Sequence, residues 1–447
     1  MIRILTVEEA RQTILKRELL GEGEIPPERL ERLREATKRP HIRSAAEGVA
    51  AIIEDVRTHG DEAVRYYNQV LDGAEVGDLE VPPERMAEAF QRLPSHIQQA
   101  LTHSAERVRR FHEEQARRET GWQHANAADG TTLGQLVRPL ERVGIYAPGG
   151  QALYPSSVIM AAVPAVVAGV REIVLVSPPS GPDGIADLIL GAAHVSGVTR
   201  AFNVGGAQAI AALAYGTESI PRVDKILGPG GLFVVLAMKQ VFGVTGIAGL
   251  PGPTETLLIA DDSANPALVA ADLLAQAEHD VLASALLLTP SRRLAEAVAE
   301  EVARQVAVLP RRPIIEGSLQ RGSGIVLTRD IAEAVALAND YAPEHLCLLL
   351  EDPWAWVPHI QHAGGVFVGE TACEALGDYI VGPSHIMPTS RTARFSSPVN
   401  VRDFQKIISL FGVNEDALQR LGPDAIALAE AEGLQAHAEA IRKRLRG

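Results

Sequence analysis

From Val143 to Gly369, short apolar runs alternate with helical patterns, and several runs end in glycine turns. VGIYAPGG is such a run, and PSSVIMAAVPAVVAG after it has helical spacing, with Ser156 or Ser157 near its N-cap. EIVLVSPP, AFNVGG and VDKILGPGG repeat the theme, each followed by an apolar helix pattern. Continuous apolar runs separated by helices are what a parallel sheet covered on both faces requires. The rhythm then starts again. TETLLIADD, SALLLTP, GIVLT, LCLLLE and GGVFVG read as strands, with helices between them. PALVAADLLAQAEH is one of these helices, with Asn265 as cap and Pro266 as its first residue, and a Trp-bearing helix precedes GGVFVG.

The expected architecture is α/β: two Rossmann-like, doubly wound parallel-sheet domains at 143–249 and 250–390. Residues 1–142 read as N-terminal helices, as in SAAEGVAAIIEDVRTHGDEAVRYYNQ, packing partly with the 250–390 domain. Residues 391–447 form a C-terminal arm ending in helices. A chain of 447 residues is too long for one ordinary core. The net charge of −14 excludes a general affinity for nucleic acid or anionic membrane. No apolar run reaches the ~18–20 residues of a membrane span. The N-terminal MIRILTVEEARQTILKREL lacks a signal-peptide core, and the two cysteines, Cys347 and Cys373, suit a reducing cytoplasm.

Three glycine turns, YAPGG, VGGAQ and LGPGG, fall at strand ends in the first repeat, where backbone can approach a phosphate. None is a GxGxxG fingerprint. The second repeat is expected to place its polar groups at the same kind of edge. Gln276 and His279 are three apart and share a helix face, which is either a solvated helix end or part of a metal site. In YAPEHL, Pro343 forces the chain out of helix. Glu344 and His345 follow on the turn into a strand, where extended backbone would aim them to opposite sides. An acid beside a histidine suits paired proton handling, although a turn bearing two polar residues would look the same. The stretch EALGDYIVGPSHIMPTSRTARFSS has no regular pattern and carries Asp378, His385, Arg391 and Arg394. A loop of that length is usually functional or disordered, and its aromatics argue against disorder. In AEAEGLQAHAEA, Glu432 and His437 share no helical face unless a helix begins between them at Leu434. Both cysteines lack flanking bases and read as structural.

Together VGIYAPGG, FNVGGAQAIAALAYGTESIPRVDKILGPG, DLLAQAEHD, YAPEHL, EALGDYIVGPSHIMPTSRTARFSS and EGLQAHA resemble the histidinol dehydrogenase family over nearly the whole chain. The resemblance implies oxidation of L-histidinol to L-histidine with two NAD, the last step of histidine biosynthesis, and a zinc ion in each subunit. It carries over Gln276, His279, Asp378 and His437 as zinc ligands. His437 is implied to reach the partner's site in a domain-swapped homodimer. Glu344 and His345 carry over as the acid/base pair. Thr254, His385 and Glu432 carry over as substrate contacts, beside Gln276, His279, His345, Asp378 and His437. Tyr146, Gln208 and Gly231 stand at the NAD contacts.

The chain departs from the family pattern at several positions. Gly231 replaces the usual Asn after GPG, Thr254 the usual Ser, and Ser384 the usual Asn before the loop histidine, while FGVTGIAGL is short. The alternative reading is a paralogous zinc- and NAD-dependent dehydrogenase acting on a different amino alcohol or diol.

Overall fold

The computed structural model describes residues 2–16, 25–149, 153–181 and 183–445. Gly150 of the YAPGG turn lies outside them. The chain divides into two compact units, Met1–Glu113 with Leu140–Phe404, and Glu114–Pro139 with Gln405–Gly447.

The first unit holds two six-stranded sheets. One runs β2 (Glu80–Val81), β7 (Arg200–Asn203), β6 (Glu172–Ser177), β5 (Arg142–Tyr146), β8 (Lys225–Leu227), β9 (Gly246–Ile247) from edge to edge. All its pairings are parallel except that of β2 with β7. The other runs β1 (Ile4–Thr6), β12 (Gly324–Leu327), β11 (Ser284–Thr289), β10 (Glu255–Ala260), β13 (His345–Leu349), β14 (Gly365–Val368), and is parallel throughout. Leaving out β2 and β1, and counting strands within each repeat, both sheets have the order 3-2-1-4-5. The order therefore reverses between β5 and β8 in one sheet and between β10 and β13 in the other, which makes these the crevices of each fold. Strands β10 and β11 are almost wholly buried, as expected for parallel strands covered on both faces. At the first crevice β8 ends against β5 so closely that a Cβ on Gly228, whose φ is +123°, would lie 2.1 Å from the Tyr146 carbonyl oxygen. Only glycine fits there.

The second unit is a three-stranded antiparallel sheet, β15 (Gln405–Val413), β4 (Thr131–Pro139), β3 (Trp122–Asn126), with helices Glu415–Ala431 and Gln435–Leu445. Its outward side chains include Trp122, Ile407, Phe411 and Leu428, with Phe411 82% exposed.

Several local expectations give way. Residues 1–142 are not helical throughout: β1 and β2 complete the edges of the two large sheets, and β3 and β4 form a hairpin. The C-terminal arm, 391–447, likewise is not all helix: two 3-10 turns lead into a strand, β15. These strands are short, or exposed along much of their length, so they lack the apolar run that marks a buried strand. The segment holding Trp354 and Trp356 forms two 3-10 turns around Pro353 and Pro358 rather than a helix. The helix after β5 is capped at Tyr154, with Pro155 as its first residue, so Ser156 and Ser157 lie near the N-cap as expected. The stretch after Gly369 contains a short helix, Glu374–Tyr379.

Candidate active site

Helix Ile331–Tyr341 ends on Ala342 in the left-handed region, with φ +55°, and Pro343 turns the chain into β13. This turn brings Glu344 and His345 into one buried cluster, instead of aiming them to opposite sides. His345 opens β13 beside Thr256 of β10, and Thr254 and Glu255 stand at the start of β10. The cluster thus occupies the N-terminal edge of the second sheet, at its crevice. This is opposite to the edge expected from the strand pattern.

Glu344 Oε2 accepts hydrogen bonds from Thr254 Oγ1 at 2.7 Å and from the Glu255 amide at 3.0 Å. Burial outweighs these bonds and the neighbouring imidazole and pushes the carboxyl up to about 7. The sign of the stability effect follows. Folded protein holds this proton at pH values where the unfolded chain, near 4.5, has released it. Its contribution is therefore complete below the ordinary carboxylate range and is lost as pH rises through about 7. Glu344→Gln removes this dependence. Between pH 5 and 7.5 the metal-free wild type is expected to lose about 2 kcal/mol relative to that variant, read by denaturant unfolding at each pH. Parallel curves for the two proteins would refute the assignment.

His345 Nδ1 lies 3.2 Å from the Glu255 carbonyl oxygen, to which only an N–H can donate. The neutral ring is then unprotonated at Nε2. That nitrogen is buried without a hydrogen-bond partner, 3.8 Å from Asp378 Oδ1. Gln276 sits in the last turn of helix Pro266–Ala277, which has the expected Asn265 cap, and His279 follows just beyond. The Gln276 side chain is fully buried, its Oε1 3.5 Å from Thr254 Oγ1 and its Nε2 without a partner. Burial lowers the His279 imidazole below its ordinary value, against the charge of Asp378. His385 is lowered for the same first reason; its Nδ1 lies 2.6 Å from the Asp378 carbonyl oxygen and its Nε2 3.1 Å from Ser157 Oγ. Ser157 belongs to the helix that follows β5, so this contact ties the C-terminal edge of the first sheet to the cluster on the second.

Two side chains escaped the sequence reading. Glu374 is buried, accepts a hydrogen bond from Thr256 Oγ1, and places Oε1 3.6 Å from His345 Nδ1. Burial and the charge of Asp378 push its carboxyl well above the usual range. The available signal was its spacing, four residues before Asp378, which shares a face only if the segment is helical. From the sequence Ser157 is only a residue near a helix N-cap.

At the first crevice, Tyr146 OH accepts from the Gly206 amide at 3.3 Å. Gln208 is fully buried and donates to Asp72 at 2.9 Å and Asn68 at 3.3 Å. Gly231 caps helix Leu232–Val241, and a Cβ there would meet nothing within 4 Å. The structure offers no packing reason for glycine at that position. Glu432 and His437 lie in the second unit, both exposed, with helix Gln435–Leu445 beginning between them. Among the described residues no three His, Cys, Asp or Glu side chains group so as to hold a metal ion, and no helix is long and apolar enough to cross a membrane. Within the first unit the implied ligand set has only two residues of those types, His279 and Asp378, beside an amide.

The fold matches the crystal structure of histidinol dehydrogenase from Elizabethkingia anophelis with a TM-score of 0.89 and 32% identity, covering 100% of this chain and 98% of that one. The family model for histidinol dehydrogenase matches residues 35–445. The histidinol dehydrogenase of Deinococcus radiodurans is 54% identical over 400 residues, 89% of this chain and 90% of that protein. That of Thermus thermophilus is 52% identical over 393 residues, 88% and 93% of the two chains. The protein is an NAD-dependent dehydrogenase built on two doubly wound sheets. More narrowly, the chain belongs to the histidinol dehydrogenase family.

Proposed function

We propose that this enzyme oxidises L-histidinol to L-histidine through L-histidinaldehyde, with two NAD and a zinc ion in each subunit, as the last step of histidine biosynthesis. The observation that carries the reading is the bare, buried Nε2 of His345, with Gln276, His279 and Asp378 in the same neighbourhood. The buried Gln276 amide has an atom without a partner, and turning it over exchanges its oxygen for that nitrogen. Imidazole nitrogen with hard oxygens suits zinc. Gln276, His279 and Asp378 would hold it, with His437 supplied by a second copy. When bound, zinc orients the substrate's amine and imidazole, and NAD serves as hydride acceptor.

The chain's own groups handle the protons. His345 Nε2 takes the alcohol proton, because the Glu255 carbonyl keeps the ring's hydrogen on Nδ1. Glu344, near half ionised at neutral pH, takes a proton from the water that adds to the aldehyde. Thr254 and the Glu255 amide hold that carboxylate in place. His385, Thr254 and Glu432 contact the substrate in this reading. Tyr146, Gln208 and Gly231 mark the NAD side, with Gln208 acting from behind Gly206 because it is fully buried. The exposed apolar side chains of the second unit support a homodimer, since a monomer rarely leaves so many uncovered. The two free cysteines fit a cytoplasmic enzyme.

The test is NADH release from histidinol together with zinc content. About two NADH per histidinol, abolished by a chelator and restored by zinc, is the expected result. Zinc bound without turnover would overturn the substrate assignment in favour of another amino alcohol or diol.

A further inference from the structure

Helix Glu374–Tyr379 carries two carboxylates four residues apart, and the pair brackets one imidazole. Glu374 Oε1 lies 3.6 Å from His345 Nδ1, and Asp378 Oδ1 lies 3.8 Å from Nε2. The ring is held on a further side by Phe367, at 5.8 Å between ring centroids. The helix is packed tightly enough against Phe367 that a Cβ on Gly377 would lie 2.5 Å from that ring. Glu374 is itself fixed, because its second oxygen accepts from Thr256 on β10, and the side chain is buried.

We infer that Glu374 is a positioning residue that acts through His345, its carboxylate holding the Nδ1–H side of the ring so that Nε2 faces the reacting alcohol. The inference rests on the assignment of His345 as base. The Glu255 carbonyl is the closer acceptor for Nδ1–H, at 3.2 Å, but one backbone oxygen leaves the ring free to swing about that bond. A second oxygen 3.6 Å from the same nitrogen, anchored to the adjacent strand, narrows the swing by contact rather than by a hydrogen bond. Once Nε2 has taken the substrate's proton the ring is positive, and an acidic group behind Nδ1 favours that state. A plain anchoring role, tying the short helix to β10 through Thr256, makes a different demand. It needs the size and hydrogen bond of Glu374 but not its acid group.

Glu374→Gln separates the two, since it keeps size and a partner for Thr256 and removes the carboxylate. The expected result is a fall in kcat for histidinol of about tenfold to hundredfold, with KM and zinc per subunit within about twofold of wild type. Glu374→Asp, which retains the charge on a shorter arm, is expected to recover part of the loss. Thr256→Val, which removes the anchor and leaves the carboxylate, is expected to cost less than Glu374→Gln. If Glu374→Gln keeps kcat within about threefold of wild type while His345→Asn is inactive, the positioning role is overturned and the base assignment stands. The role is equally overturned if Glu374→Gln loses zinc or raises KM at unchanged kcat. Should Glu374→Gln prove unstable, an Asp variant no better than Thr256→Val overturns it. Full activity in His345→Asn sinks the base assignment itself and this inference with it.

Discussion

His345→Asn is expected to lower kcat for histidinol oxidation by about a thousandfold, with zinc content unchanged and KM altered little. Asparagine is short and uncharged, and its amide N–H can still donate to a carbonyl such as that of Glu255. It offers no nitrogen that can take a proton from the substrate. The loss should appear in the initial rate of NADH formation at saturating histidinol, before any aldehyde accumulates. In the proposed reading Glu344 handles the later proton, that of the water, and is held for that task by Thr254 and the Glu255 amide. A variant that keeps rates within about tenfold of wild type would remove the imidazole from the chemistry, and another group would have to be found for the first proton.

Mixed dimers provide the second large effect. Gln276→Ala and His437→Ala are each expected to be nearly inactive as pure proteins, since each removes one donor from every site if the proposed shared zinc site holds. Mixed in equal amounts and allowed to exchange, they should recover about a quarter of wild-type activity. About half of the dimers are then hybrids, and each hybrid carries one intact site. The two residues belong to different compact units of the chain, and His437 is exposed on a unit rich in uncovered apolar side chains. No recovery after demonstrated exchange would argue that each subunit builds its site alone.

The two sheets were legible because parallel strands buried on both faces must be apolar at every position, and helices with glycine turns frame them. The cap and face of helix Pro266–Ala277 were legible too, since Asn265 and Pro266 mark its start and three-residue spacing aligns Gln276 with His279. The edge of the second sheet that carries the cluster was not. The alternation of elements gives a sheet's order of assembly but does not say which end of its strands bears the polar groups. On a turn into a strand, extended backbone at both Glu344 and His345 would make the two side chains diverge. The left-handed Ala342 sets Glu344 outside the strand and lets the two side chains converge. Glu374 was hidden by its setting, a single short helix inside a segment punctuated by Gly and Pro, where no periodicity can be counted. Strands β3, β4 and β15 were missed for the opposite reason to the large sheets: much of their surface is exposed, so their apolar residues never form a run.

The short helix that carries Asp378 ends under the grip of a distant part of the chain. Ser104 donates to the Tyr379 carbonyl, and Arg107 donates to the carbonyls of Ile380 and Val381, across separations of 275, 273 and 274 residues. The order of synthesis then matters. Helix Ser95–Arg118 leaves the ribosome long before the segment it must hold, so it waits with those donors unpaired until the chain beyond residue 381 has emerged. Contacts of such long range form late, after the loops between them have closed. The sheets can assemble as they are made, whereas the buried cluster around His345 can be completed only near the end. A chain stalled or cut before residue 370 would carry both six-stranded sheets and none of the geometry around Asp378.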